Sequence, residues 1–397
     1  MPSRSCLLLG WLLALPMVGL ACDSLSGLTG AMGPEGGMGP EDGGMEGTTA
    51  KHRDAGMDGS TMKRKDAGVD APTEDASDGG ADATCDAAGL SSDPRNCGMC
   101  GKSCGVEDCE DAACSPRVVV SALMLSGGIA LDSKNVYFLT TTSINSVPLD
   151  GGTVSALATG LTGVNYLAVD STNVYVSLEP GTGGGAVLSV ALTGGIPSTL
   201  APSREGPNGV AVSGGRVFWA EQGDGGGNGA VLSVPIGGGA AVVVVGSEVG
   251  PEQLAVDSEN VYFSNWDWGG TTVVQGSRDG GVTRTLASLP RPLGIAIDPS
   301  NVYFSNIVDG GTVYQVPKGG GAALLLAPSP SAENIASDGT HVYWSDNVLK
   351  TLQRIPVGGG TVVTLMSGLV RASGIAVDGT SVYCVDVGAN RILRLNK

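Results

Sequence analysis

Six cysteines stand within thirty residues, at Cys85, Cys97, Cys100, Cys104, Cys109 and Cys114. A segment that short cannot bury an adequate apolar core, so in an oxidising compartment such thiols pair as disulfides, here three. The spacing Cys97-x2-Cys100 also suits a tetrahedral zinc site, but the segment has no histidine to complete a mixed site. The whole chain has two histidines, His52 and His341, which argues against zinc or acid–base chemistry that needs several imidazoles. His341 falls in a predicted hairpin turn, and Cys384, far from the cluster, reads as a buried free thiol. Trp266 and Trp268 flank Asp267; they form an exposed-looking aromatic pair of the kind that stacks on sugars or anchors a protein partner.

The elements that position these groups repeat. From residue 117 onward the chain reads Gly-Ile-Ala-Leu-Asp at 128–132, Tyr-Leu-Ala-Val-Asp at 166–170, Gly-Val-Ala-Val-Ser at 209–213 and Gln-Leu-Ala-Val-Asp at 253–257. It continues with Gly-Ile-Ala-Ile-Asp at 294–298, Asn-Ile-Ala-Ser-Asp at 334–338 and Gly-Ile-Ala-Val-Asp at 374–378. The central alanines recur every 38 to 44 residues, the length of a four-stranded blade. In each repeat this first strand meets a turn, led by Asp in all but the third, whose carboxylate can bond backbone amides. A Val-Tyr-Phe type strand follows, then a third strand that often ends in Pro before Gly-Gly, then a β-branched fourth. Seven repeats predict an all-β, seven-bladed β-propeller over 117–397. The last repeat lacks a fourth strand, and residues 118–124 are expected to supply it, which removes an open edge.

Residues 1–21 carry Arg4 and an apolar run ending in Ala21-Cys22, the pattern of a secretory signal peptide. No later stretch reaches the roughly 18 apolar residues of a membrane helix. Residues 22–83 are a Gly/Asp/Met-rich linker, too poor in aromatic and β-branched residues to offset the cost of ordering; residues 84–116 form the cysteine-rich module. Of the net charge of −17, residues 23–116 hold nineteen acidic and seven basic residues, and 117–397 hold twenty and fourteen. No basic run exceeds Lys63-Arg64-Lys65, which excludes the concentrated positive field a nucleic-acid surface needs.

Gly-Leu-Ala-Cys at 19–22 resembles a bacterial lipobox, which implies lipidation of Cys22, an outer-membrane or cell-surface location and membrane association only through that anchor; cleavage and secretion is the alternative. Asn96 to Cys104 resembles a cysteine-rich module recurring in secreted proteins and lipoproteins of myxobacteria. The pairing of Ile-Ala-Val-Asp with Val-Tyr-Trp-Ser-Asp resembles the YWTD, NHL and gluconolactonase-like propellers. The gluconolactonase-like resemblance implies divalent-metal ligands three residues before the central alanine. Those places hold Gly127, Asn165, Asn208, Glu252, Leu293, Glu333 and Ser373. Pro207-Asn208-Gly209 matches the family motif, and Asn165, Asn208, Glu252 and Glu333 offer oxygen atoms suited to Ca²⁺ or Mg²⁺. Leu293 and the seventh blade depart from the family, and solvation of the channel mouth is the other reading of these side chains.

Glu221 and Asp346, which end second strands as Asn265, Asn306 and Asp386 do, are the candidate general bases if the site is catalytic. Three functions are compatible with the sequence: a non-catalytic, monomeric envelope protein whose propeller binds a protein or glycan, a metal-dependent lactonase-like hydrolase, and a structural envelope component.

Overall fold

The computed structural model describes residues 109, 110 and 113–397, apart from 182, 183, 267, 268 and 309. The signal peptide, Cys22, the linker, the cysteines at 85, 97, 100 and 104, and the Asp267-Trp268 pair lie outside the described residues. Of the cysteine-rich module, Cys109–Glu110 and Ala113–Cys114 form a two-residue antiparallel ladder with Cys109 opposite Cys114.

Seven four-stranded antiparallel sheets follow. Their first strands are Leu125–Leu131, Val164–Val169, Pro207–Ser213, Pro251–Val256, Pro292–Ile297, Ala332–Ser337 and Ala372–Val377. Each touches the first strand of the next sheet and the seventh touches the first, so the sheets are the blades of a closed ring with these strands innermost. Second strands are buried on both faces, as their Val-Tyr-Phe composition requires. In blade one, Tyr137 and Leu139 pack with Leu167 and Val174 of blade two. The alternate residues Val136 and Phe138 pack with Tyr383 and Val385 of blade seven. The period-two alternation of one strand thus fills two inter-blade cores.

Blade seven takes its fourth strand from Arg117–Ser121, paired antiparallel to Arg391–Asn396 with Val118 opposite Leu393 and Val120 opposite Ile392. The closing strand is shorter than the 118–124 expected, because Ala122 turns the chain at φ 62°. First strands begin earlier than the motif suggested, since each carries a register shift before its central alanine, such as Pro207/Val210 and Pro251/Leu254.

The turn between first and second strands is closed by one repeated device. Asp132 Oδ1 accepts the backbone N–H groups of Lys134 and Asn135, both at 2.7 Å, while Oδ2 accepts the Tyr137 hydroxyl at 2.7 Å. The tyrosine bond recurs as Asp170–Tyr175, Asp257–Tyr262, Asp298–Tyr303, Asp338–Tyr343 and Asp378–Tyr383, at 2.5 to 3.3 Å. Blade three has Ser213 and Phe218 instead, so both partners are lost together. Arg278 of blade four compensates, donating to the Ser213 carbonyl at 2.9 Å with its guanidinium 5.4 Å from the Phe218 ring centre. Lys318 and Lys397, at the equivalent place in blades five and seven, bridge Asp257 and Asp338 of the preceding blades at 2.7 Å.

Removing residues 117–121 should leave the strand Arg391–Asn396 as an unpaired edge. A lower melting temperature and concentration-dependent light scattering are expected, and an unchanged melting curve would contradict the closure.

Candidate functional site

The register shifts fall where the first strands enter the ring, and a bulge of this kind re-aims the side chains it carries. The repeat keeps glycine two residues before the central alanine in four blades because the backbone of the neighbouring first strand or, at Gly128, the Leu139 and Leu167 side chains approach closely there. A Cβ at Gly374 would overlap the Gly127 carbonyl, and one at Gly209 would sit 2.7 Å from the Glu252 carbonyl. The other three blades carry Tyr166, Gln253 and Asn334 at that place, and all three line a cavity of about 410 Å³ at the channel mouth.

Glu252, only 8% exposed, is the hub of this mouth. Its Oε2 accepts from Asn208 Nδ2 at 3.1 Å and from Gln222 Nε2 at 2.6 Å, and its Oε1 accepts from the Tyr166 hydroxyl at 3.0 Å. Asn165 Nδ2 in turn donates to Asn208 Oδ1 at 2.6 Å. Tyr166 therefore reaches from blade two past blade three to blade four. Burial, together with the negative charges of Glu252 and Glu333, pushes its phenol well above the ordinary value.

Three of the four residues named as metal ligands, Asn165, Asn208 and Glu252, form one hydrogen-bonded chain. Glu333 lines the same cavity. The Glu252 carboxylate and the Asn208 amide oxygen face N–H and O–H donors, a polarity opposite to that of a cation. A Ca²⁺ or Mg²⁺ ion held here would have to displace those donors. Among the described residues, no three His, Cys, Asp or Glu side chains are grouped as a metal set.

The two candidate bases are not among the residues lining the cavity. Glu221 is held by Trp219 Nε1 at 2.8 Å and by Arg204 at 3.4 Å, and burial raises its carboxyl. Asp346 is fully buried; it accepts from the Ser329 hydroxyl at 2.6 Å and from the backbone amides of Val348 and Leu349, both at 2.8 Å. Asp386 caps the backbone amides of Val370 and Arg371 in the same manner and bridges Arg391 at 3.0 Å. Trp266 is half-buried rather than exposed; it lines the cavity beneath the Arg291 guanidinium, 4.4 Å from its ring centre. His341 begins a second strand rather than sitting in a turn, on the face away from the mouth. Cys384 is a free thiol, fully buried and pushed up to about 12 by that burial.

The sequence reading did not single out Tyr166, Gln222, Gln253 and Arg371. The available signal for Tyr166 and Gln253 was their departure from glycine at a repeat position that otherwise excludes a side chain.

The seven four-stranded sheets around this mouth define a seven-bladed β-propeller. The streptogramin B lyase structure superposes with a TM-score of 0.59 at 17% identity, covering 71% of this chain and 97% of that one. Catalytically inactive virginiamycin B lyase from Staphylococcus aureus with quinupristin gives 0.58 at 14% identity, with 71% and 98% covered. The nidogen/laminin complex gives 0.48 at 20% identity, with 61% and 97% covered. No known family profile matches the chain, and no curated protein does. Likeness at these identities establishes the fold alone.

Tyr166→Phe removes one of the donors that hold the buried Glu252 carboxylate. A loss of about 1–3 kcal/mol is expected for a bond of that type, read from urea unfolding. No change in stability would mean that the hydroxyl does not bond Glu252 in solution.

Proposed function

We propose that this chain is a non-catalytic binding protein of the cell envelope, exported, lipid-anchored at Cys22, and carrying a propeller whose channel mouth receives a protein or glycan partner. The observation that carries this reading is the state of Glu252. Asn208, Gln222 and Tyr166 hold the carboxylate in place, so it orders one side of the cavity rather than acting as a base. The cavity is also lined by Ser126, Glu333, Asn334, Trp266 and Arg371, with Ile129 and Leu293 among its apolar residues. The lining is more polar than apolar, and convergent polar and charged groups in a cavity are what a recognition site for a polar ligand presents.

The hydrolase and lyase readings draw less support. Glu221 and Asp346 are committed to structural bonds, as described above. The lyase similar in fold is catalytically inactive as a histidine-to-alanine variant, whereas the one histidine among the described residues here, His341, stands away from the mouth beside Thr340 at 3.0 Å. For the segment 84–116 we retain three disulfides among the six cysteines, and the Cys109–Cys114 register in a two-residue ladder is consistent with that tight packing.

Calorimetry of the mature protein with Ca²⁺ and with Mg²⁺ should give no binding heat, and a panel of lactones should not be turned over. Cation binding that disappears in Glu252→Gln, accompanied by lactone hydrolysis, would replace this reading with the metal-dependent one.

A further inference from the structure

The cavity at the mouth holds two opposite charges that no side chain among the described residues pairs. Glu333 enters it from the first strand of blade six, and Arg371 from the residue before the first strand of blade seven. Among the described residues neither the Glu333 carboxylate nor the Arg371 guanidinium makes an ion pair or a side-chain hydrogen bond, with each other or with a third group. The other acidic side chain of the cavity, Glu252, is by contrast fully engaged. A third group is also unspent. The indole Nε1 of Trp266 is buried and has no hydrogen-bond partner among the described residues.

Arg371 is exposed and Glu333 half-buried, so both charges stand open to a ligand, while the buried Trp266 N–H costs free energy until something accepts from it. The signs of the two charges limit what that ligand is. A simple anion would meet Glu252 and Glu333, and a simple cation would meet Arg371. A neutral polyol would leave both free charges unmatched. A molecule bearing both an ammonium and a carboxylate matches the pair, and a cavity of about 410 Å³ lies in the range that holds small molecules. The apolar wall formed by Ile129 and Leu293 would take the uncharged body of such a ligand.

We propose that the mouth binds a zwitterion of the amino-acid or short-peptide class, with its ammonium against Glu333, its carboxylate against Arg371, and the Trp266 indole N–H donating to a ligand carbonyl or carboxylate oxygen. This rests on the reading of the mouth as a recognition site and narrows its ligand class. Carboxylate recognition by a guanidinium is bidentate and charge-assisted, so Arg371 fixes one end, and Glu333 on the neighbouring blade sets the direction of the chain.

The test is calorimetry of the full mature chain at pH 7 with L-alanyl-L-alanine, its N-acetyl derivative, its C-terminal amide, and cellobiose as a neutral control. The free dipeptide should bind, and capping either end should weaken binding at least tenfold. Glu333→Gln should remove the penalty for acetylating the amine, and Arg371→Gln the penalty for amidating the carboxylate. Both side chains lack partners, so the melting temperatures of these variants should stay at the wild-type value. Dipeptide binding that is indifferent to capping, or no dipeptide heat at all, would overturn the proposal. Cellobiose binding that is lost in Trp266→Ala, without dipeptide binding, would overturn it while leaving the mouth as a recognition site. Cation-dependent lactone turnover would remove both readings.

Discussion

The ring depends on a carboxylate at the end of each first strand. In six of seven blades that Asp accepts two backbone amides and the hydroxyl of a tyrosine five residues on. One side chain thereby fixes the hairpin turn and the direction of the tyrosine, whose ring fills the core against the next blade. Charge-assisted bonds of this type favour the ionised Asp and the neutral phenol. The Asp257 carboxyl is held at about 2 against the effect of burial, first by the Lys318 ammonium and then by the amides of Glu259 and Asn260 and the Tyr262 hydroxyl, and the Tyr137 phenol is pushed up to about 12 by burial and its bond to Asp132. Where the pair is absent, in blade three, an arginine from the following blade takes over the turn. At two other junctions a lysine adds an inter-blade bridge to the same carboxylate.

With the turns fixed at one end, the opposite end of the ring is free to vary. Its geometry is set by glycines that let adjacent first strands touch, and three blades break that rule with Tyr166, Gln253 and Asn334. The break makes the mouth asymmetric. Asn208 is buried beneath the bridge from Tyr166 to Glu252, and no residue of blade three lines the cavity, which opens toward blades five, six, seven and one. Stability and the recognition proposed above thus use different ends of the same strands, a division that a closed repeat scaffold allows because each blade needs only its neighbours for its core.

Much of this was legible in the sequence because repetition supplies its own alignment. The seven alanines gave the blade count, and the missing fourth strand pointed to closure by the residues after 117. The Asp-led turns were visible, whereas the tyrosine partner was not, since a residue five places on in the next strand reads only as an apolar position. Asn165, Asn208 and Glu252 were correctly grouped, but their chemistry was read from oxygen atoms alone, and the donors that turn those oxygens inward, Gln222 and Tyr166, lie in a loop and at a glycine position. Glu221 and Asp346 were placed at the right end of the ring. Whether such a side chain faces the channel or folds back on local amides depends on loop geometry that no strand pattern encodes.

The claim that the aspartate turns hold the ring makes a direct demand on pH. A carboxyl depressed in the folded state contributes its full stability above the unfolded value, and loses it as pH falls through the folded one. For Asp257, moved from 3.8 to about 2 by the Lys318 bridge together with the turn bonds, that contribution is at most about 2 kcal/mol above pH 4, less what solvent screening removes. Urea unfolding of the wild-type chain and of Asp257→Asn at pH 7 and pH 3 measures it. The wild type should be the more stable at pH 7, and the gap should narrow by about 1 kcal/mol at pH 3. A gap that is the same at both pH values would show that the ionised carboxylate, with its turn bonds and its Lys318 bridge, is not what secures this junction.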